Sequence, residues 1–338
     1  MDRFPSPSLF ALLPARHAFT LLSTCFTRSR VREALASKVS RERVGTELEG
    51  MFKGPDPTRA IRDIHRLRLF PVVFSAPHSL QEALGEDYGA PCSALLAEAA
   101  ALMDAWQAEE PMAPEERRLA LLSALLLPLR AAQISKDVKQ PTPLATYVVL
   151  NAIKWKRRDA EAVAALHAAA PDLLHISQTL QDLSGGFGGA DEDVRVRLGR
   201  VLRRLGKLGL TRPGIVLAPL LTLPEATPLG VDPAVARDES PNATSASPEG
   251  NGASLSPAEG RAYRLETCRV LDGAMEAFGL SDCWDWKPLL SGKDVMKLLG
   301  LKGKEVGEAV EHIMDWQLAH PSGTAADCQE WLKAKYSI

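Results

Sequence analysis

Long apolar runs, paired cysteines and a surplus of charge of one sign are all missing from this sequence. The longest nearly apolar stretch, Leu119–Leu129, is bounded by Arg118 and Arg130 and contains Pro128. It falls far short of the ~20 residues that a membrane-crossing helix needs, so it reads as a buried helix and no membrane partner is expected. The five cysteines, at 25, 92, 268, 283 and 328, are odd in number and none stands at metal-ligand spacing from another. That argues against a disulfide framework or a zinc site and fits a reducing compartment. A formal net charge of −2 excludes binding of RNA or membrane by bulk charge alone. Aromatic residues make up only 6% of the chain and β-branched runs are few, which leaves little material for sheets. What the sequence has in quantity is Ala and Leu, and with them helix propensity. The expected fold class is all-α.

The charge that is present is unevenly placed. From Met1 to Val72 there are thirteen Lys and Arg against seven Asp and Glu. Residues 3–32 carry Arg3, Arg16, Arg28, Arg30 and Arg32 and no acid, a pattern similar to an organelle transit peptide. In "KVSRERVGTELEGMFKGPDPTRAI", Lys38–Ile61, the residues Val44, Leu48, Met51 and Phe52 fall on one helical stripe. Ser40 suits the N-cap and "GPDP" the stop. A second helix is expected over about Thr58–Arg68, with Ile61, Ile64 and Leu67 on one side, leading into the apolar "LFPVVF". Further helices are expected over Cys92–Gln107, Pro114–Ala132, Thr142–Lys156, Arg158–Ala169 and Asp193–Leu208, with a compact helical segment over Arg261–Tyr336. "SGGFGG", Ser184–Gly189, reads as a flexible loop. No strand alternation stands out. The expected segments are 1–30, 31–75, 76–222, a Pro-, Ser- and Gly-rich linker over 223–258 too polar to fold, and 259–338.

Catalytic constellations are hard to find. The seven histidines are scattered; His167 and His175 are placed to share a helix face, but no acid completes a metal set. Asp191 and Asp193 have the spacing of a metal-gripping pair, yet they follow a glycine loop and open a helix, where acids serve the helix dipole. "GLKGKEVG", Gly300–Gly307, lacks Walker spacing. It suits a weaker role, in which free N–H groups at a helix start, beside Lys302 and Lys304, hold a nucleic-acid phosphate. Basic clusters recur. "KWKRR" places Lys154, Lys156, Arg157 and Arg158 together, and in "RVRLGRVLRRLGK" Arg197, Arg200 and Arg204 share one helix face. Base-specific aromatic stacking is not evident; Trp155 alone interleaves with basic residues. A solvated helix surface is the plainer account of any single cluster; an RNA backbone is the account of several together.

These residues carry a resemblance. "VREALASKVSRERVGTELEGMFKGPDPTRAIRDIHRLRLFPVVF" resembles the neck of eukaryotic-type CCA-adding enzymes, the class II tRNA nucleotidyltransferase and poly(A) polymerase family. "LLPLR", "KDVKQPTPLATYVVLNAIKW" and "DEDVRVRLGRVLRRLGK" look like its body helices. "KPLLSGKDVMKLLGLKGKEVGEAVEHIMDWQLAHPSGTAADCQEWL" looks like its tail. The resemblance implies a helical neck (31–75), body (76–222) and tail (259–338), with Arg41, Arg43 and Glu47 as the neck motif that braces a nucleotide-selecting segment. It implies tRNA as partner, bound by shape and phosphate, with Lys154, Lys156, Arg157, Arg200, Arg204, Lys302 and Lys304 as contact candidates. The family's catalytic head carries a "GG-x-VRD" loop and a D-x-D pair, and it uses Mg2+ with CTP and ATP. Neither element, nor the nucleotide-selecting E-D-x-x-R, appears in that context here. The expectation is a chain without the catalytic head, holding no cofactor of its own and inactive alone. Two alternatives stay open: an active CCA-adding transferase, and a helical interaction module that pairs with itself or a full-length relative through exposed Val44, Leu48 or Phe52. The family serves cytoplasm, nucleus, mitochondrion and plastid alike.

Overall fold

A computed structural model of the chain describes residues 29–106, 111–134, 141–182, 187, 192–229 and 256–336, with side chains from 32 onward. The transit-like segment, most of the glycine loop, Asp191 and the greater part of the linker therefore lie outside the described residues. The fold is all-α. The helices are α1 Ser29–Lys38, α2 Arg41–Lys53, α3 Pro57–Arg66, α4 Phe70–Val73, α5 His78–Leu84, α6 Gly89–Ala105 and α7 Pro114–Leu126. A two-residue pair of strands, β1 Gln133–Ile134 and β2 Thr142–Pro143, follows. Then come α8 Leu144–Tyr147, α9 Arg157–Gln181, α10 Glu192–Gly206, α11 Thr211–Leu217, α12 Pro257–Ala277, α13 Gly292–Leu299, α14 Lys304–Ala319 and α15 Ala325–Lys335.

The chain divides into two compact units that interleave along the sequence. Among the described residues the first comprises 29–97, 125–134, 141–161 and 227–229, the second 98–106, 111–124, 162–182, 187, 192–226 and 256–336. In the first, α2 starts where Ser40 caps it, its side chain accepting from the Arg43 N–H. Val44, Leu48 and Phe52 are buried, whereas Met51, expected on the same stripe, is exposed. Val44, Leu48 and Phe52 are therefore not the exposed patch through which association was expected. Beyond them, Phe70, Phe74 and Tyr88 form an aromatic cluster, and the Tyr88 hydroxyl donates to the Phe74 carbonyl at 2.8 Å.

Thr142–Lys156 is not one helix. Thr142 and Pro143 form β2, α8 begins only after its Pro143 N-cap and runs directly into a π-turn over Val148–Ala152, and the chain turns left-handed at Lys154, with φ 53°. Pro128 likewise ends α7 at Leu126, in a single 3-10 turn over Leu127–Leu129. At the start of the segment read as a linker, Pro224–Ala226 is a 3-10 turn with Ala226 buried, and the Leu229 N–H donates to the Pro128 carbonyl.

In the second unit the helix starts follow their sequence signals closely. Ser256 with Glu259, Ser291 with Asp294 and Thr324 with Asp327 each form a reciprocal capping box. Leu290, Val295, Ile313, Trp316, Cys328 and Leu332 make the core of α13–α15. Gly199 of α10 lies against Leu318 of α14, where an added Cβ would stand 2.5 Å from a Leu318 methyl. Glu98 of α6 accepts from Arg261 and Arg264 of α12, at 3.0 and 2.7 Å. Burial alone would raise the Glu98 carboxyl, but the two guanidinium groups outweigh it and hold it below its ordinary value.

A folded-state carboxyl held low contributes stability above its unfolded pKa and loses it as pH falls through the depressed value. Glu98→Gln is therefore expected to cost roughly 2 kcal/mol in urea unfolding at pH 7, since Arg264 keeps its burial and loses its carboxylate. The difference from the parent should shrink below about pH 4. A gap independent of pH would place the loss in packing instead.

Candidate nucleic-acid interface

The "KWKRR" turn is positioned by its one uncharged member. Trp155 is buried, its indole N–H donates to the Gly45 carbonyl of α2 at 2.9 Å, and its ring meets Phe52 edge-on at 5.4 Å. Burial of the ring and use of its N–H inside the fold make Trp155 a structural residue, in keeping with the absence of evident base stacking. Gly45 is required for this contact: a Cβ there would lie 2.0 Å from the Ile153 carbonyl oxygen. Asp159 adds a cap, its carboxylate accepting from the Lys156 N–H at 3.2 Å. With the turn pinned from behind, Lys154, Lys156, Arg157 and Arg158 are all exposed. Arg157 reaches Glu161 one turn on, at 2.9 Å, with 86% of its side chain still in solvent. An exposed pair of this kind is worth little and opens readily for a phosphate.

The neck-motif residues divide. The Arg41 guanidinium donates to the Val72 carbonyl at 2.6 Å, tying α2 to α4. Arg43 and Glu47 are exposed on α2. The basic face of α10 is engaged within the fold. Arg200 holds Asp315 through two bonds of 2.7 and 2.5 Å, Arg204 approaches Asp172 at 3.4 Å, and Arg197 lies 4.0 Å from Asp193. Arg203 donates to the Cys283 and Trp286 carbonyls. Arg197, Arg200 and Arg204 nonetheless line one cleft of about 260 Å³ with Asp172, so they are brought together as their spacing implied, each beside an acid. Lys302 and Lys304 are exposed at the start of α14, whose N-cap Gly303 offers no side-chain bond; Lys304 faces Glu308 at 3.3 Å.

Other candidates separate. His167 is buried, with its Nε2–H donating to the Ser123 carbonyl, while His175 is exposed. Among the described residues no three His, Cys, Asp or Glu side chains converge as a metal site would require. Cys92, Cys268, Cys283 and Cys328 are free thiols, and burial pushes Cys283 and Cys328 up to about 11 and Cys268 to about 12, far from a nucleophile's range.

A second basic surface in the first unit comes from a run not singled out in the sequence, Arg62, His65, Arg66 and Arg68. At the end of α3, His65, Arg66 and Arg68 line a cleft of about 360 Å³ with Phe70, Glu86 and Asp87. The His65 Nε2–H donates to Asp87 at 2.7 Å. Arg68 is left-handed, with φ 55°, a conformation that costs a residue with a side chain about 1 kcal/mol. Its i, i+2 spacing from Arg66 shares no helix face, so periodicity does not pick it out.

Gly45→Ala is expected to cost about 2–3 kcal/mol, because the clash is with backbone and α2 has to move off the Ile153 turn. The drop in the urea midpoint should exceed that of Trp155→Phe, which keeps the ring packing and loses mainly one hydrogen bond worth about 1 kcal/mol.

No family model and no solved structure matches the chain. Among curated proteins, the chain is similar to the tRNA nucleotidyltransferase cca2 of Schizosaccharomyces pombe, with 38% identity over 56 residues. The matched stretch is 16% of this chain and spans only 12% of the relative's length. Over that stretch the chain is related to a tRNA nucleotidyltransferase.

Proposed function

We propose that the chain is the tRNA-binding neck, body and tail of a CCA-adding tRNA nucleotidyltransferase, serving tRNA 3′-end processing. The observation that carries this reading is the 38% identity over 56 residues to a tRNA nucleotidyltransferase. The basic turn at 154–158, pinned on α2 and facing solvent, supports it. On this reading Lys154, Lys156 and Arg157 are the main phosphate contacts, and Lys302 and Lys304 add a second patch. Arg200 and Arg204 join when an RNA phosphate displaces Asp315 or Asp172. Arg41 acts as a positioning residue through Val72, with Arg43 and Glu47 on the outer face of the same helix. Proteins that grip RNA by its backbone read shape more than sequence and need neither a basic whole-chain charge nor stacked aromatics.

Binding and catalysis separate experimentally. The purified chain is expected to bind tRNA in a salt-sensitive manner, its affinity falling by at least about tenfold between 50 and 200 mM salt if three or more phosphates are contacted. Affinity indifferent to salt would overturn the phosphate reading. Incubation with CTP, ATP, Mg2+ and tRNA lacking its 3′ end tests the rest. Binding without nucleotide addition is the expected result. Addition of CMP or AMP would replace the proposal with the catalytic alternative.

A further inference from the structure

Among the described residues three helices end in the same hydrogen-bonded turn, and one of them is filled differently. In α10 the turn is closed by Gly209 N–H to the Gly206 carbonyl and Leu210 N–H to the Leu205 carbonyl. In α12 it is closed by Gly279 N–H to Glu276 and Leu280 N–H to Met275. In α3 the same two bonds run from Arg68 to His65 and from Leu69 to Ile64. This is the Schellman arrangement, whose left-handed position favours glycine because a Cβ is strained there. Glycine fills it at 209 and 279, with φ 67° and 62°, and arginine fills it at 68. Among the described residues Lys154 is the other left-handed position that is not glycine, and it too is an exposed cation.

Both residues belong to the first unit; the Lys154 turn is tied to α2, and so is α4, the short helix that follows the Arg68 turn. Arg41 bonds Val72, four residues beyond Arg68, and Gly45 bonds Trp155, the residue after Lys154. Positions 41 and 45 stand about one helical turn apart along α2, about 6 Å in backbone rise. Strained backbone of this kind clusters at functional sites, and here it falls on two exposed cations. The acids near Arg68 are Glu86 and Asp87, and the Asp87 carboxylate is already taken by His65.

We infer that Arg68 is an RNA-phosphate contact that works with Lys154, its strained turn holding the guanidinium out over the His65–Asp87 cleft. This deepens the proposed function and rests on it. The left-handed geometry makes the test unusually clean, since Arg68→Gly and Lys154→Gly relieve strain and remove a charge in one step. Each variant should keep or raise the unfolding temperature while binding tRNA about three- to tenfold more weakly, and the slope of log affinity against log salt should become shallower by roughly 0.9 per lost contact. Arg68→Asn, which tolerates the same backbone without charge, should match the glycine variant in binding.

Unchanged affinity and salt slope in the Arg68 variants, with the parent chain binding tRNA, would overturn this inference alone. A parent chain that binds no tRNA at low salt would overturn the proposed function and this inference together. A free nucleotide presents the same phosphate chemistry. Loss of CTP binding in Arg68→Gly with tRNA affinity intact would overturn the RNA assignment in favour of a nucleotide site.

Discussion

The contact between Gly45 and the Ile153–Trp155 turn fixes the shape of the exposed basic turn of the first unit. A cationic run has no intrinsic reason to adopt one shape, because its members repel one another and prefer water. Here the single aromatic residue within the run is drawn inward. Its ring packs on Phe52, its N–H satisfies a helix carbonyl, and the absence of a side chain at 45 lets the backbones touch. Four flanking cations are then displayed without choice, as the outward side of a turn whose inward side is buried. Preorganisation of this kind lowers the conformational entropy lost when a phosphate backbone docks.

The α10 arginines illustrate the opposite arrangement. Their i, i+3, i+7 spacing does place them on one face, and they do line one cleft, but the second unit meets them with acids and carbonyls of its own. The Arg200–Asp315 pair ties α10 to α14 next to the close approach of Gly199 and Leu318, so it serves the fold first. Any RNA contact there competes with an existing partner, whereas the 154–158 turn competes mainly with water. Equal charge in the sequence thus corresponds to unequal availability.

Strain singles out fewer residues than charge does. Arginines and lysines are spread along the whole chain, and most sit in unstrained helix. Two of them occupy a conformation that the same protein elsewhere assigns to glycine. Burial cannot explain the choice, since both side chains are in solvent. Attraction of a cation to a helix C-terminus offsets part of the cost, yet Gly209 and Gly279 end their helices without it.

What the amino-acid order determined by itself was local. The all-α class, the Ser40 cap and GPDP stop of α2, the α3 stripe of Ile61 and Ile64, and the cap boxes of α12, α13 and α15 all arise from interactions within about four residues. So does the placing of Arg197, Arg200 and Arg204 on one face. The tertiary structure alone decided which of those cations stay free, since Asp315 lies 115 positions from Arg200. It also made Trp155 a structural anchor, through a helix 110 positions away. Exposure of Met51 where a stripe predicted burial, and the left-handed turns at Arg68 and Lys154, belong to the same class. Helical periodicity reports which side chains share a face; only long-range packing settles what that face meets, because the partner is supplied by a distant part of the chain.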